Sequence, residues 1–484
     1  MDPYLTKFPY NPYPEIGFSV KISAVGASGS TGLIQLPILN DTTNHPYVFT
    51  TTDLDRVQLV FSVFKSNVEI QDGEHIGGAV ALLAELKSGL GPDRESLIRS
   101  HKIPVLHRGS LEPIGAITFD FLVVKPFPNP NTHPITPREI WNGAAGTQVI
   151  GHRGLGQNHP SFRRLQIGEN TIQSFLATMD LGVSYIECDV QMTRDHVPII
   201  YHDFLLSESG ADLAPHHLSF DQFMHINDIQ TARSISQVLT ENINLSKLPV
   251  ELTGTPRPRS RAHSLDQTTD LRNRSLLERM KHTYEFKLKG FKGNVIGEHI
   301  HAPLTTLEEI LRTLPEALGI DIELKYPMLW EAEDWKMDLY GVELNKFVDV
   351  ILDKVYTLGG RRNIIFTSFS PELCILVAHK QNQYPVLFLN ESNLFPTGDV
   401  RASNLQEAVY FARRWNLPGV VMSSEPFVMS PKLMVYVKDA GLVCVSFGFL
   451  NNDAENAKAS ILRCHLDAFD FYSRHVSLLL IHFY

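Results

Sequence analysis

From Thr147 onward, short apolar runs alternate with helix-length amphipathic stretches, and that rhythm leaves few folds open. Residues 147–150, 184–190, 197–201, 319–325, 363–367, 385–389, 419–422 and 442–445 read as strands. Helices fit between most of them. Asn170 to Leu181 is one, with Asn170 as its cap and Gly182 just past its end; Thr306–Leu314 and Leu405–Trp415 are others. Repeated strand-then-helix order predicts parallel strands covered by helices. With this many units the reading is an α/β, TIM-type (β/α) barrel, with a doubly wound sheet as the second choice.

Upstream the period is different. Phe18–Ile22 and Ile117–Phe121 alternate apolar and polar residues, as half-buried strands do. Residues 15–127 are read as an all-β sandwich with no catalytic cluster. Five prolines between Lys125 and Trp141 mark a stiff boundary, and 128–146 is assigned as a Pro-rich linker. The barrel domain takes 147–484. It carries a Ser-, Thr-, Pro- and Arg-rich insertion at about 205–300 and an atypical tail after 458.

Composition removes several classes. Forty-three basic against 53 acidic residues leave a net charge of −10, which argues against nucleic acid as a partner. The four cysteines (Cys188, Cys374, Cys444, Cys464) are far apart and form no CxxC, so a zinc site or disulfide framework is not expected. The N-terminus shows no secretory h-region, and no run of ~18 apolar residues suggests an integral membrane segment. A cytoplasmic protein is the expectation.

Four pieces of sequence carry chemistry. Gly151-His152-Arg153-Gly154 follows a strand, and active sites of barrels lie at carboxyl strand ends. There His152 can move protons and Arg153 can grip a phosphate. In Tyr185–Val190 the alternation puts Glu187 and Asp189 on one face. Two buried carboxylates are costly unless paired or metal-bound, and hard oxygen ligands suit Mg²⁺ or Ca²⁺. His202 ends Val197–Tyr201, with Asp203 beside it to orient it. In Ile320–Lys325, Asp321, Glu323 and Lys325 share a face; Glu323 is a third candidate ligand, and Lys325 a phosphate or charge partner. Each piece alone has a bland reading as a loop or a solvated strand face. Together they hold what phosphodiester hydrolysis needs: a cation site, basic groups for the phosphoryl oxygens and two proton carriers.

In this order HRG, GENT (168–171), E-x-D, T-x-D-x-x-P-x-x-x-HD and IELK resemble the glycerophosphodiester phosphodiesterase family, over about residues 147–458. The stretches LQIGENTIQSF, DHVPIIYHDF and ELKYPM are similar to its fungal intracellular glycerophosphocholine branch. The resemblance implies hydrolysis of a small-molecule glycerophosphodiester, such as glycerophosphocholine, to glycerol 3-phosphate and an alcohol. It implies His152 and His202 as the acid/base pair, and Arg153 and Lys325 as phosphate ligands. Glu187, Asp189 and Glu323 would hold the divalent metal, with Glu169 in support. Protein partners cannot be read.

Three departures stand against the family pattern. The SPX and ankyrin regions usual in the fungal branch are not visible, and a truncated or spliced form is the expectation. Val445–Gly448 stands where many members have a Trp-containing strand end. The usual last strand is replaced by ASILRCHLDAFDFYSRHVSLLLIHFY, in which Val476–Ile481 is a substitute strand candidate. The alternative functions are a non-enzymatic regulator of phosphate signalling and a phospholipase of the same barrel type. For choline, Tyr326, Trp330 and Trp335 are candidate cage residues, with a core role equally open to each.

Overall fold

A computed structural model describes residues 16–36, 47–67, 73–86, 100–128, 148–155, 166–206, 212–230, 281–284, 287, 299–300, 303–337, 341–392, 398–453, 455–456 and 477–481. Most of the linker 128–146 and of the insertion 205–300 lies outside the described residues.

The described chain forms two compact units. The first is built on β1 (Ile16–Val25), β2 (Ile34–Leu36), β3 (Gln58–Asn67), β4 (Glu74–Leu82), β5 (Ser100–His107) and β6 (Pro113–Asp120). All are antiparallel neighbours in the order β2-β1-β3-β4-β5-β6. The period-two pattern is realised: Val20 and Ile22, then Leu59, Phe61 and Val63, then Ala79 and Ala81, then Ile117 and Phe119 all enter one core. Phe61 and Phe119 stand on strands three places apart in the sheet, yet their rings lie 5.1 Å apart. The sheet is therefore strongly bent around its core.

The second unit contains β7 (Gln148–Gly151), a short ribbon of β8 (Gln166–Ile167) with β11 (His299–Ile300), β9 (Tyr185–Met192), β10 (Pro198–Ile200), β12 (Thr305–Thr306), β13 (Gly319–Leu324), β14 (Ile364–Ser368), β15 (Val386–Asn390), β16 (Gly419–Ser423), β17 (Val443–Phe447) and β18 (Ser477–Ile481). Strands β7, β9, β13, β14, β15, β16, β17 and β18 pair in parallel, in that order, and β18 pairs back onto β7. The ring is closed, so this unit is a parallel barrel.

Two expectations change here. The run 197–201 is not a barrel strand; β10 lies antiparallel against Val190–Met192 of β9. The cause is the connection: Thr193–His196 is a four-residue turn, and a parallel crossover needs a dozen residues or more. The place that run would have taken goes to the tail, where β18 realises the candidate substitute strand. The helix after β8 also starts later than expected. It spans Ile172–Asp180 and is capped by Thr171, whose hydroxyl accepts from the Ser174 N–H while the Ser174 hydroxyl accepts from the Thr171 N–H. Gly182 ends it in the left-handed region at φ 83°, as expected.

Residues facing the barrel axis follow from register. Ile150, Ile365, Leu387, Leu389, Val421 and Val445 form one internal cluster from five strands. Ile150 is level with Tyr185. Two and four residues beyond Tyr185, Glu187 and Asp189 must face inward as well, level with Asp321 and Glu323 of β13. The interior is thus apolar along β14–β17 and acidic along β9 and β13.

Because β18 sits between two partners, its backbone N–H groups are needed for closure. Leu479→Pro is expected to destabilise the fold by about 3 kcal/mol or more, read as a lowered denaturant midpoint. An unchanged midpoint would contradict the closure by β18.

Candidate active site

The site sits at the carboxyl ends of β7, β9 and β13, and its first element is a tight turn. After β7, Gly151 to Leu155 bends so that Arg153 (φ 57°) and Gly154 (φ 78°) both take left-handed backbone. Arg153 is strained there. It is held by its surroundings: its carbonyl accepts from the Asn170 N–H (3.0 Å) and the Ser174 hydroxyl (3.0 Å), and its N–H donates to Glu187 Oε2 (2.8 Å). A Cβ on Gly154 would lie 2.7 Å from the Ser174 backbone carbon, so only glycine lets the turn dock on the helix.

That turn delivers His152 and Arg153. His152 Nε2 lies 3.7 Å from Glu187 Oε2. The Arg153 side chain spans two acids, with Nη1 donating to Glu169 Oε1 at 3.1 Å and Nε 3.4 Å from Asp189 Oδ2. Burial alone would lower the guanidinium pKa, but Glu169, Asp189 and Glu187 outweigh it and raise it.

Glu187, Asp189 and Glu323 each present an oxygen, all within 4.8 Å of one another, and all three side chains are buried. Burial pushes Glu187 well above the usual carboxylate range, and Asp189 and Glu323 add to the push. Burial opposes the charge on Asp189 too. There His202, Arg153, Lys325 and the Asn170 amide prevail and hold the group down at about 2. Glu323 is raised by burial, against the pull of Lys325, whose Nζ donates to Glu323 Oε1 at 3.1 Å and stands 3.8 Å from Asp189 Oδ1. The donor set fits a hard divalent cation. Among the described residues Glu187 Oε1 and Asp189 Oδ1 are fully buried with no hydrogen-bond partner, which is costly for carboxylate oxygens unless a cation meets them.

His202 lies at the carboxyl end of the β10 excursion. Its Nδ1 is 2.8 Å from Asp203 Oδ1, which fixes the ring and leaves Nε2 for the site. Burial, with Arg153 and Lys325 nearby, pulls its pKa down to about 4. All eight residues singled out from sequence therefore meet in one place: His152, Arg153, Glu169, Glu187, Asp189, His202, Glu323 and Lys325.

Two further residues escaped the sequence reading. The sequence suggests Asn170 as a helix cap. In the structure it takes φ 56°, and its amide nitrogen donates to Asp189 Oδ2 at 2.7 Å while its Oδ1 accepts from the Asp189 N–H at 3.3 Å. Gln191 continues the inward row of Glu187 and Asp189. Its Nε2 donates to the carbonyls of Tyr201 (2.8 Å) and Asp203 (2.7 Å), which flank His202. Extending the E-x-D alternation by one step would have found it. The aromatic candidates go elsewhere. Tyr326 is buried edge-on against Phe347 at 5.3 Å, and Trp335 packs on Tyr284 at 5.9 Å. Trp330 has its indole N–H buried.

The geometry is that of a parallel barrel with buried acids, basic groups and histidines gathered at its carboxyl rim. Comparison with known proteins makes this particular. The model of the glycerophosphoryl diester phosphodiesterase family matches residues 152–466, and that of a GDE1-like C2 domain matches 7–128. The chain belongs to the glycerophosphoryl diester phosphodiesterase family. It is 42% identical over 399 residues to glycerophosphocholine phosphodiesterase GDE1 of Candida albicans, covering 81% of this chain and 33% of that one. Its identity to the Eremothecium gossypii GDE1 is 38% over 404 residues, covering 80% and 30%. It thus spans about a third of the length of these fungal relatives. Among solved structures, a glycerophosphodiester phosphodiesterase from Thermotoga maritima is similar, with 16% identity, coverage of 70% and 95%, and a TM-score of 0.37.

Asn170→Ala would strip Asp189 of two hydrogen bonds. A stability loss of about 1–3 kcal/mol is expected, checked by urea unfolding. A loss below a few tenths would show that the amide does not secure Asp189.

Proposed function

We propose that this chain hydrolyses glycerophosphodiesters, with glycerophosphocholine as a substrate, to glycerol 3-phosphate and the free alcohol. The observation that carries the reading is the meeting of the three-carboxylate cluster with Arg153, Lys325 and two histidines at one barrel rim. The fungal relatives are glycerophosphocholine phosphodiesterases by name, which supports it.

In this reading Glu187, Asp189 and Glu323 hold a divalent cation, Mg²⁺ or Ca²⁺. When bound, such a cation supplies charge that offsets the negative charge on the phosphoryl oxygens. Arg153 and Lys325 grip the phosphate from the same side. Glu169 keeps the Arg153 fork aimed. His152 and His202 share the proton traffic: one takes a proton from the attacking hydroxyl and the other gives one to the leaving alkoxide. Asp203 and Gln191 fix the His202 ring and its peptide.

The remaining expectations are proposals of the same standing. The bent six-stranded sheet is read as a two-layered sandwich over 15–127, supported by the Phe61–Phe119 contact across two intervening strands. It is followed by the linker at 128–146 and the barrel domain at 147–484. A cytoplasmic, reducing setting is supported by the buried free thiols of Cys188 and Cys374.

Purified chain should release glycerol 3-phosphate from glycerophosphocholine with Mg²⁺ or Ca²⁺ and stop with EDTA. His152→Ala should lower kcat by roughly 10²–10⁴-fold at an unchanged unfolding midpoint. A folded chain that releases nothing under any divalent metal would defeat the reading and favour a regulatory role. Metal affinity is checked separately by calorimetry. Asp189→Asn should weaken binding of Mg²⁺ or Ca²⁺, and unchanged affinity would remove Asp189 from the ligand set.

A further inference from the structure

The apolar half of the barrel ends differently from the acidic half. Period-two alternation carries each inward row of β14–β17 up to the rim. Ile365 and Thr367 lead to Phe369. Leu387 and Leu389 lead to Glu391. Val421 leads to Ser423, which hydrogen-bonds Glu425, and Val445 leads to Phe447. Four successive strand ends thus offer a phenyl ring, a carboxylate, a serine–carboxylate pair and a second phenyl ring. Ser423 and Phe447 are level in register.

The two rings are not simply wall residues. Their strands are separated by β15 and β16, so the backbones stand roughly 14 Å apart along the sheet at the usual strand spacing. Yet the centroids are 6.2 Å apart and meet edge-to-face. Both rings therefore lean inward over the mouth, and both stay partly exposed. Glu391 is the next inward position after Leu389 at the end of β15, between the rim positions of the two rings, and it is half-buried. Among the described residues, no side chain hydrogen-bonds its carboxylate. Burial, with Glu323 and Glu425, raises it to about 7 against the pull of Lys325.

We propose that Phe369, Phe447 and Glu391, with Glu425 behind them, form a subsite for the cationic end of the substrate, a quaternary ammonium group of the choline type. Ring faces and a carboxylate attract a bulky cation that cannot donate hydrogen bonds, a need that a hydrogen-bonding pocket would not meet. The placement is complementary. Anion-binding groups occupy β7, β9 and β13, and the cation-binding wall occupies β14–β17. A zwitterionic diester would lie across the mouth with its phosphate on one side and its ammonium on the other. The subsite rests on the diesterase reading for the identity of the substrate, but its test is read without turnover.

Choline and its neutral isostere 3,3-dimethylbutan-1-ol are titrated into the full chain by ligand-observed NMR. Choline should bind at least about tenfold more tightly than the isostere. Glu391→Gln, nearly equal in volume, should reduce that preference at an unchanged unfolding midpoint, and Phe447→Leu should weaken both ligands, choline the more. Equal binding of the two probes to the unaltered chain, or a preference untouched by Glu391→Gln, would overturn the subsite. A choline preference that falls in Glu391→Gln, where the unaltered chain releases no glycerol 3-phosphate, would support the subsite and defeat the catalytic reading. Turnover without a choline preference would do the reverse.

Discussion

Three carboxylates pressed together inside a protein are an electrostatic problem before they are a site. Glu187, Asp189 and Glu323 are buried within 4.8 Å of one another, with Asp321 one step below Glu323 on the same face. Left alone, such a group would stay protonated or unfold its surroundings. Everything around it answers that repulsion. Arg153 is forced into left-handed backbone so that its N–H meets Glu187 while its fork reaches Asp189 and Glu169. Lys325 is drawn in beside Glu323. Asn170 gives up a capping role to serve Asp189. Asp321 is pushed up to about 8 by burial, with Glu323 and Asp189 adding to the push, and the Thr367 hydroxyl donates to it. The strain in the turn and the cost of burial are both explained by what the cluster can hold.

The site was legible in the sequence because its acids follow a short-range rule. Glu187 with Asp189, and Asp321 with Glu323, are two residues apart on strands, and strand geometry alone puts each pair on one face. Which pairs face each other was not legible. That depends on the register of β9 against β13, two strands more than a hundred residues apart in the chain. Asn170 was misread for a related reason. Asn and Thr are both good caps, and the choice between Asn170 and Thr171 is made by a buried carboxylate that local sequence does not show. Of the aromatic candidates, Tyr326 packs on Phe347 and Trp335 on Tyr284, contacts that residue type alone does not foretell. Phe447 lies in the segment 445–448 that departs from the family pattern, and its meeting with Phe369 depends on the curvature of four strands, which local sequence does not show.

The fold was legible as a rhythm but not as a count. The run 197–201 has the composition of a buried strand, and burial of Ile199 and Ile200 bears that out. What denies it a place in the barrel is the length of its connection, not its residues. The excursion is not idle, since it carries His202 back over the ends of β9 and β13, with Gln191 of β9 holding the carbonyls on either side. An antiparallel detour can do this where the next barrel strand could not, since that strand would have its own inward row and its own rim position. The position of His202 therefore depends on the departure from regular alternation.

The same logic explains the division of the mouth. A barrel interior has one inward row per strand, and each row ends in one or two rim residues. Acidic rows on β9 and β13 gather cations to themselves, so Arg153 and Lys325 are committed to that side. The remaining rows must fill the axis with apolar side chains, as Ile365, Leu387, Leu389, Val421 and Val445 do. A carboxylate placed above such rows, as Glu391 is, has fewer basic groups within reach than Asp189 has, and two phenyl rings share its rim. A ligand that is anionic at one end and cationic at the other suits this mouth better than one with a single charge. The polarity of the rim follows from the polarity of the rows beneath it.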